Sequence, residues 1–156
     1  MKLSNLFIFT IAIAFGCEGQ TKIHSTEPVI QKRFKNTLIN KEFETEQLIG
    51  LTEDKKNHQL HSFREGGKWA GNTINFLDSV HFISAYRAWC GNDCFTSIYG
   101  RYYFVDHQKV RFYTDSIRRR GDCEAPTVYT RSRPPLDFSL VKMPDGQLQL
   151  KYSEYK

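Results

Sequence analysis

Past residue 71 the apolar side chains of this chain recur at every second position, and a period of two admits antiparallel sheet and little else. Residues 72–78 carry Ile74 and Phe76 on one side. Residues 81–89 place Phe82, Ser84, Tyr86 and Ala88 on one side and Ile83, Ala85, Arg87 and Trp89 on the other. Residues 95–106 set Phe95, Tyr99 and Tyr103 against Tyr102 and Phe104; residues 109–117 set Val110, Phe112 and Thr114 against Lys109, Arg111 and Tyr113. Asp106-His107-Gln108 suits the turn between those runs. Residues 136–143 and 147–152 flank Pro144-Asp145-Gly146, the strongest hairpin signal in the chain, and the last strand points Leu148, Leu150 and Tyr152 inward. Six strands follow from the alternation, with residues 68–70 and 127–131 as further candidates. Short strands at regular spacing predict a mostly β fold: a small antiparallel up-and-down β-barrel of about eight strands, with an N-terminal helix or tether.

Upstream of Gly66-Gly67 the pattern differs. Residues 18–27 are polar and read as a tether. Pro28 suits the first turn of a helix, and Ile30, Phe34 and Leu38 recur at intervals of four, so the spacing predicts a helix over 28–46. Residues 48–61 fit neither period, and Glu53-Asp54-Lys55-Lys56-Asn57 reads as a solvated loop. The expected organisation is therefore a signal peptide at 1–16, a lipidated cysteine with tether and helix at 17–62, and a β-barrel domain at 63–156.

The first seventeen residues bear on location. Lys2 supplies a positive start, and residues 6–15 form an apolar run broken only by Thr10, too short to span a bilayer. Ala14-Phe15-Gly16 then puts small residues at the first and third positions before Cys17, the pattern of a secretory signal peptide. Ala14-Phe15-Gly16-Cys17 resembles the bacterial lipobox, although Phe15 and Ala14 stand where that motif prefers a small residue and Leu. The resemblance implies that the Cys17 thiol is lipidated and anchors the chain to a membrane in the cell envelope, on the outer membrane or a periplasmic face. Cleavage before Cys17 would leave 140 residues, one domain's worth, with a formal charge of +4. A basic exported chain is suited to anionic lipid, glycan or an acidic protein, and export argues against a nucleic-acid partner.

Of the remaining cysteines, the Cys90–Cys94 spacing is not that of a redox motif, and His81 and His107 fall in separate segments, so no metal or cofactor is expected. If 96–105 and 109–119 form a hairpin, Cys94 and Cys123 finish at the same end. A structural bridge from Cys123 to Cys94, or to Cys90, is expected; closing a loop of about thirty residues contributes about 3 kcal/mol in the chain-entropy model.

Gly67-Lys68-Trp69 entering a β-meander resembles the opening of lipocalins and lipocalin-like bacterial lipoproteins. The resemblance covers roughly residues 65–153, implies a barrel with a ligand cavity, and transfers Trp69 alone, as the residue closing the barrel's bottom. Residues 90–123, with Gly100-Arg101-Tyr102-Tyr103, are also similar to the small META-type secreted domains. The Asp-Tyr pair of the second lipocalin signature is absent.

Three function classes remain. The first is a non-catalytic binding module for a small apolar or amphipathic ligand. In it Tyr86, Tyr99, Tyr103 and Phe112 line a cavity, and Arg101 and Arg111 orient an anionic group at its mouth. Against this stands a core simply filled by its aromatics. The second is an envelope protein-interaction, inhibitor or immunity module, presenting loops 90–94 and 121–135 with Arg118-Arg119-Arg120, Arg131 and Arg133 nearby. A filled barrel with exposed aromatics near Trp89 would favour it. The third is an envelope hydrolase, but Ser84, Ser97 and Ser116 fall mid-strand and His24, His58, His61, His81 and His107 fall in no catalytic motif, so no catalytic residue is assigned.

Overall fold

The computed structural model describes residues 34–51, 55–63, 70–89, 93–130 and 133–154. The signal segment, Cys17, Trp69, Cys90 and Arg131 lie outside the described residues. Nine strands occur there: β1 (Lys41–Thr45), β2 (His58–Ser62), β3 (Gly71–Phe76), β4 (His81–Arg87), β5 (Cys94–Phe104), β6 (Lys109–Gly121), β7 (Ala125–Tyr129), β8 (Leu136–Lys142) and β9 (Leu148–Ser153). Eight close into an antiparallel barrel in the order β5-β4-β3-β1-β2-β9-β8-β6, with β6 returning to β5, and β7 is added to β6 alone. The strands from β3 onward match the alternation to within a few residues.

The expected helix over 28–46 is corrected where it is described: residues 34–46 hold no helix, and 41–45 form β1. The barrel therefore begins at Lys41, not after residue 62, since β1 pairs with β3 (Phe43 opposite Ile74) and β2 pairs with β9 (Leu60 opposite Leu148). Without β1 and β2 the sheet could not close. Phe34 and Leu38 do both meet the core, Leu38 within it and Phe34 against it, but from an irregular, non-helical segment.

The interior is filled. Ile74, Phe76, Phe82, Ile98, Tyr102, Phe112, Phe138 and Leu150 are all at most 1% exposed. Phe112 sits at the centre, with edge-on neighbours Phe82 at 5.0 Å and Phe138 at 5.4 Å and Tyr102 stacked at 6.1 Å. Such edge-to-face sets favour close packing over an open lumen. Gly100 makes room for them: a Cβ there would run into the Tyr113 carbonyl and the Phe82 ring.

Both ends are plugged. At one end Leu38 is fully buried, and Asn36 accepts the Leu38 N–H and donates to the Tyr102 hydroxyl at 2.9 Å. That hydroxyl donates to the Asp78 carbonyl at 2.6 Å, and burial pushes its pKa up to about 12. At the other end Ile49 is fully buried; its N–H donates to the Ser84 hydroxyl at 2.9 Å, and Thr114 Oγ1 donates to the Gly50 carbonyl. Gly50 has φ +107, and a Cβ would lie 3.0 Å from Thr114 Oγ1 and 3.1 Å from Ile98, so glycine alone suits the position.

Beyond that second plug the molecule continues as a sheet extension. β5 and β6 outrun the barrel; β6 pairs with β8 only over Lys109–Phe112, and its later half pairs with β7. Tyr99 lies opposite Ser116 and Gly100 opposite Thr114, leaving Asp115 as the extra residue of a bulge. Before it Val110 and Phe112 face inward; after it Ile117 does. The Cys94–Cys123 disulfide ties the tip, with Cα atoms 5.0 Å apart.

Candidate functional site

The six residues expected to line a cavity do not converge. Phe112 is in the filled core. Tyr99, Arg101 and Tyr103 alternate with the inward Ile98, Gly100 and Tyr102 on β5, and so lie on the outer face of the barrel, with Arg111 opposite Tyr103 on β6. Tyr86 lies near the end of β4, half-buried, beside Phe95 (centroids 6.4 Å apart). Sequence periodicity separates the two faces of a strand but does not say which face the barrel encloses when both carry aromatics.

The two arginines assigned to anion recognition are already occupied. Arg111 forms a two-pronged pair with Asp137, Nε to Oδ1 at 2.7 Å and Nη2 to Oδ2 at 2.9 Å. Arg101 grips Asp115 in the same way, Nε to Oδ2 and Nη2 to Oδ1 both at 3.1 Å, and lies 5.9 Å from the Tyr113 ring. Hydrogen bonding to those carboxylates raises both guanidinium pKa values, so both stay cationic at any physiological pH. These are ties that hold β5, β6 and β8 together.

Arg118, Arg119 and Arg120 are different. All three are exposed on the later half of β6, and among the described residues no carboxylate lies within ion-pairing distance of them. The bulge decides their directions. Arg118 lies opposite Ser97 and Arg120 opposite Phe95, so both share the outer face with Tyr99, whereas Arg119 lies opposite Thr96 on the other face. Ala85 pairs with Ser97 from the β4 side, so this face runs across three strands.

A cleft of about 360 Å³ opens on it, lined by Tyr86, Arg87, Phe95, Ser97, Tyr99, Arg118 and Arg120, with Ala85 at its base. Arg87 is held by Glu42 at 2.7 Å. Tyr86 points its hydroxyl toward Asp93 Oδ2 at 3.4 Å, and Asp93 does not line the cleft. Exposed aromatics surround the region: Trp89 is 69% exposed, Tyr129 76% and Tyr99 36%. Tyr129 lies on β7 opposite Ser116, on the same outer face.

A larger cleft, about 820 Å³, lies at the other end between Asn40, Phe43, Phe63, Leu77 and Leu148. Its charged lining is one Lys41 and one Glu42, which offers no convergent charge. Ser84, the one buried serine of the three weighed above, accepts from Ile49 N–H and donates to the Thr73 carbonyl at 3.0 Å, a structural hydroxyl committed to the plug. Among the described residues no group of three or more His, Cys, Asp or Glu side chains is placed to hold a metal ion.

Comparison with protein-family models, with curated proteins and with solved structures gives no match.

Proposed function

We propose that this chain is a non-catalytic binding module, exported and tethered to a membrane of the cell envelope through Cys17, that docks an anionic partner on the outer face of its disulfide-tied extension. The observation that carries the reading is the pair Arg118 and Arg120: two unneutralised, exposed guanidiniums on one face of a sheet, with Tyr99 on the same face, in a chain whose half-buried Arg101 and Arg111 are each tied to an aspartate. Cationic groups with no internal ion pair are available to meet external charge, and exposed substitutions of this kind change stability by about 0.5 kcal/mol or less. The filled interior removes the support for a ligand held inside the barrel. The anchor and the export route rest on the first seventeen residues, and the lipocalin-like resemblance bears on architecture alone. Loops 90–94 and 121–135, expected as a contact surface, contribute through their described parts: Asp93, Cys94 and Cys123 at the tip, and β7 within the second segment.

The test is a photo-crosslinking residue placed at Tyr99, and at Gln59 on the opposite wall of the barrel, in cells that export the chain. Adducts are expected from position 99 only, and are expected to vanish when Arg118 and Arg120 are both changed to Glu. Adducts from both positions, or adducts insensitive to the charge reversal, would sink the reading.

A further inference from the structure

The cleft between β4, β5 and β6 has the chemistry of a phosphate-monoester site. This rests on the docking reading above and narrows it from any anion to one class. Three arginines face the cleft. Glu42 neutralises Arg87, which leaves the cleft two positive charges, on Arg118 and Arg120. Those two sit two residues apart on one strand, about 7 Å between backbones. At that spacing two flexible guanidiniums can converge on one small anion, and the 360 Å³ cleft has room for that group together with a small organic body. A single carboxylate or sulfate monoester carries one charge and leaves one guanidinium uncompensated. A phosphate monoester carries close to two at neutral pH and has three acceptor oxygens.

The other polar lining groups match those oxygens. Ser97 and Tyr99 present hydroxyl donors from β5 between the arginines and β4, and Arg87, ion-paired to Glu42 at 2.7 Å, adds a third guanidinium. Charge-assisted hydrogen bonds of this kind are the strong class. Phe95 and Tyr86, tilted 36° to one another, form an apolar wall beside the charged floor, a place for the organic body of the ester. No described carboxylate lines the cleft to repel a dianion.

We therefore propose that the cleft binds the phosphate of a monoester. The same group is carried by a small soluble phosphate ester and by a lipid head group that ends in a monoester, and the experiment has an arm for each.

The mature chain is titrated calorimetrically with phenyl phosphate, with phenyl sulfate and benzoate as monoanionic controls. In parallel it is floated with phosphatidylcholine vesicles doped with phosphatidic acid, or with phosphatidylglycerol at matched surface charge. Saturable binding of phenyl phosphate is expected, at least about tenfold tighter than either control. The variant R118Q/R120Q is expected to lose at least about tenfold in that affinity, while R119Q, altered on the opposite face, keeps it. A lipid source is supported if phosphatidic acid vesicles are also preferred over phosphatidylglycerol vesicles through the same two arginines; a soluble source is supported if only phenyl phosphate is. Equal affinity for the monoanions, or indifference to R118Q/R120Q, overturns the proposal. If phenyl phosphate fails but polyglutamate still binds through Arg118 and Arg120, the monoester inference falls and the docking surface stands. If polyglutamate binding also ignores those arginines, both fall.

Discussion

The barrel body and the extension share two strands, β5 and β6, and treat charge and aromatic rings in opposite ways. In the body, Arg101 and Arg111 are locked to Asp115 and Asp137, and the rings of Phe76, Phe82, Tyr102, Phe112 and Phe138 are buried against each other. In the extension, Arg118, Arg119 and Arg120 meet no carboxylate among the described residues, and Tyr129 on the added strand is 76% exposed. The body satisfies itself; the extension is held by a disulfide and one added strand, and leaves its chemistry facing outward. Strand pairing thus fixes geometry in both halves, while only one half is closed to partners.

The largest expected effect falls in the body. Phe112→Ala removes the ring at the centre of the aromatic set, and a loss of about 3–5 kcal/mol is expected in urea unfolding. A loss under about 1 kcal/mol would mean that the body is looser than its burial implies and that the contrast with the extension is false.

Next comes the tie at the tip. Replacing Cys94 and Cys123 by serine is expected to cost about 2–3 kcal/mol, with amide exchange rising in β7 and residues 94–97 while β8 and β9 keep their protection. A uniform loss of protection across all strands would show that body and extension unfold as one unit.

The smallest effect concerns the β3–β4 turn of the body. The His81 side chain, with the His81 and Val80 amides, holds the Asp78 carboxyl at about 2, below its ordinary 3.8. A pKa depressed by folding adds stability that is complete above the unfolded value and is lost as pH falls toward 2. Because Asp78 is half exposed, the amount is under about 1 kcal/mol. Asp78→Asn should lose that contribution, under about 1 kcal/mol, at neutral pH, flatten the stability profile between pH 4 and 2, and converge with the parent chain at the acid end. A profile as steep as that of the parent chain would place the acid sensitivity elsewhere.

Much of this architecture is legible in the sequence. The alternation after residue 71 and the Pro144-Asp145-Gly146 turn lead to six of the nine strands, with residues 127–131 as a further candidate where β7 is found. The cysteine positions lead to a bridge from Cys123 to Cys94 or Cys90, of which the structure has Cys94. β1 and β2 are not legible, because Lys41–Thr45 and His58–Ser62 each bury only two side chains inside the barrel, too few to establish a period. The four-residue spacing of Phe34 and Leu38 imitates a helix, yet it serves an irregular plug. At the site, the arginine run is visible as a run, but composition cannot separate arginines already paired from arginines left over. That division needs Asp115 and Asp137, which sit 14 and 26 residues from the partners they neutralise.

Asp115 carries a further consequence. A strand is read by its neighbours in a two-letter frame, inside then outside, and one supernumerary residue shifts that frame for everything downstream. Removing Asp115 would turn Ile117 out to water, swing Arg118 and Arg120 to the far side and bring Arg119 to the cleft in their place. The polarity of the extension is therefore encoded by a count, not by a composition: the same three arginines, one position earlier, would present one charge where there are now two.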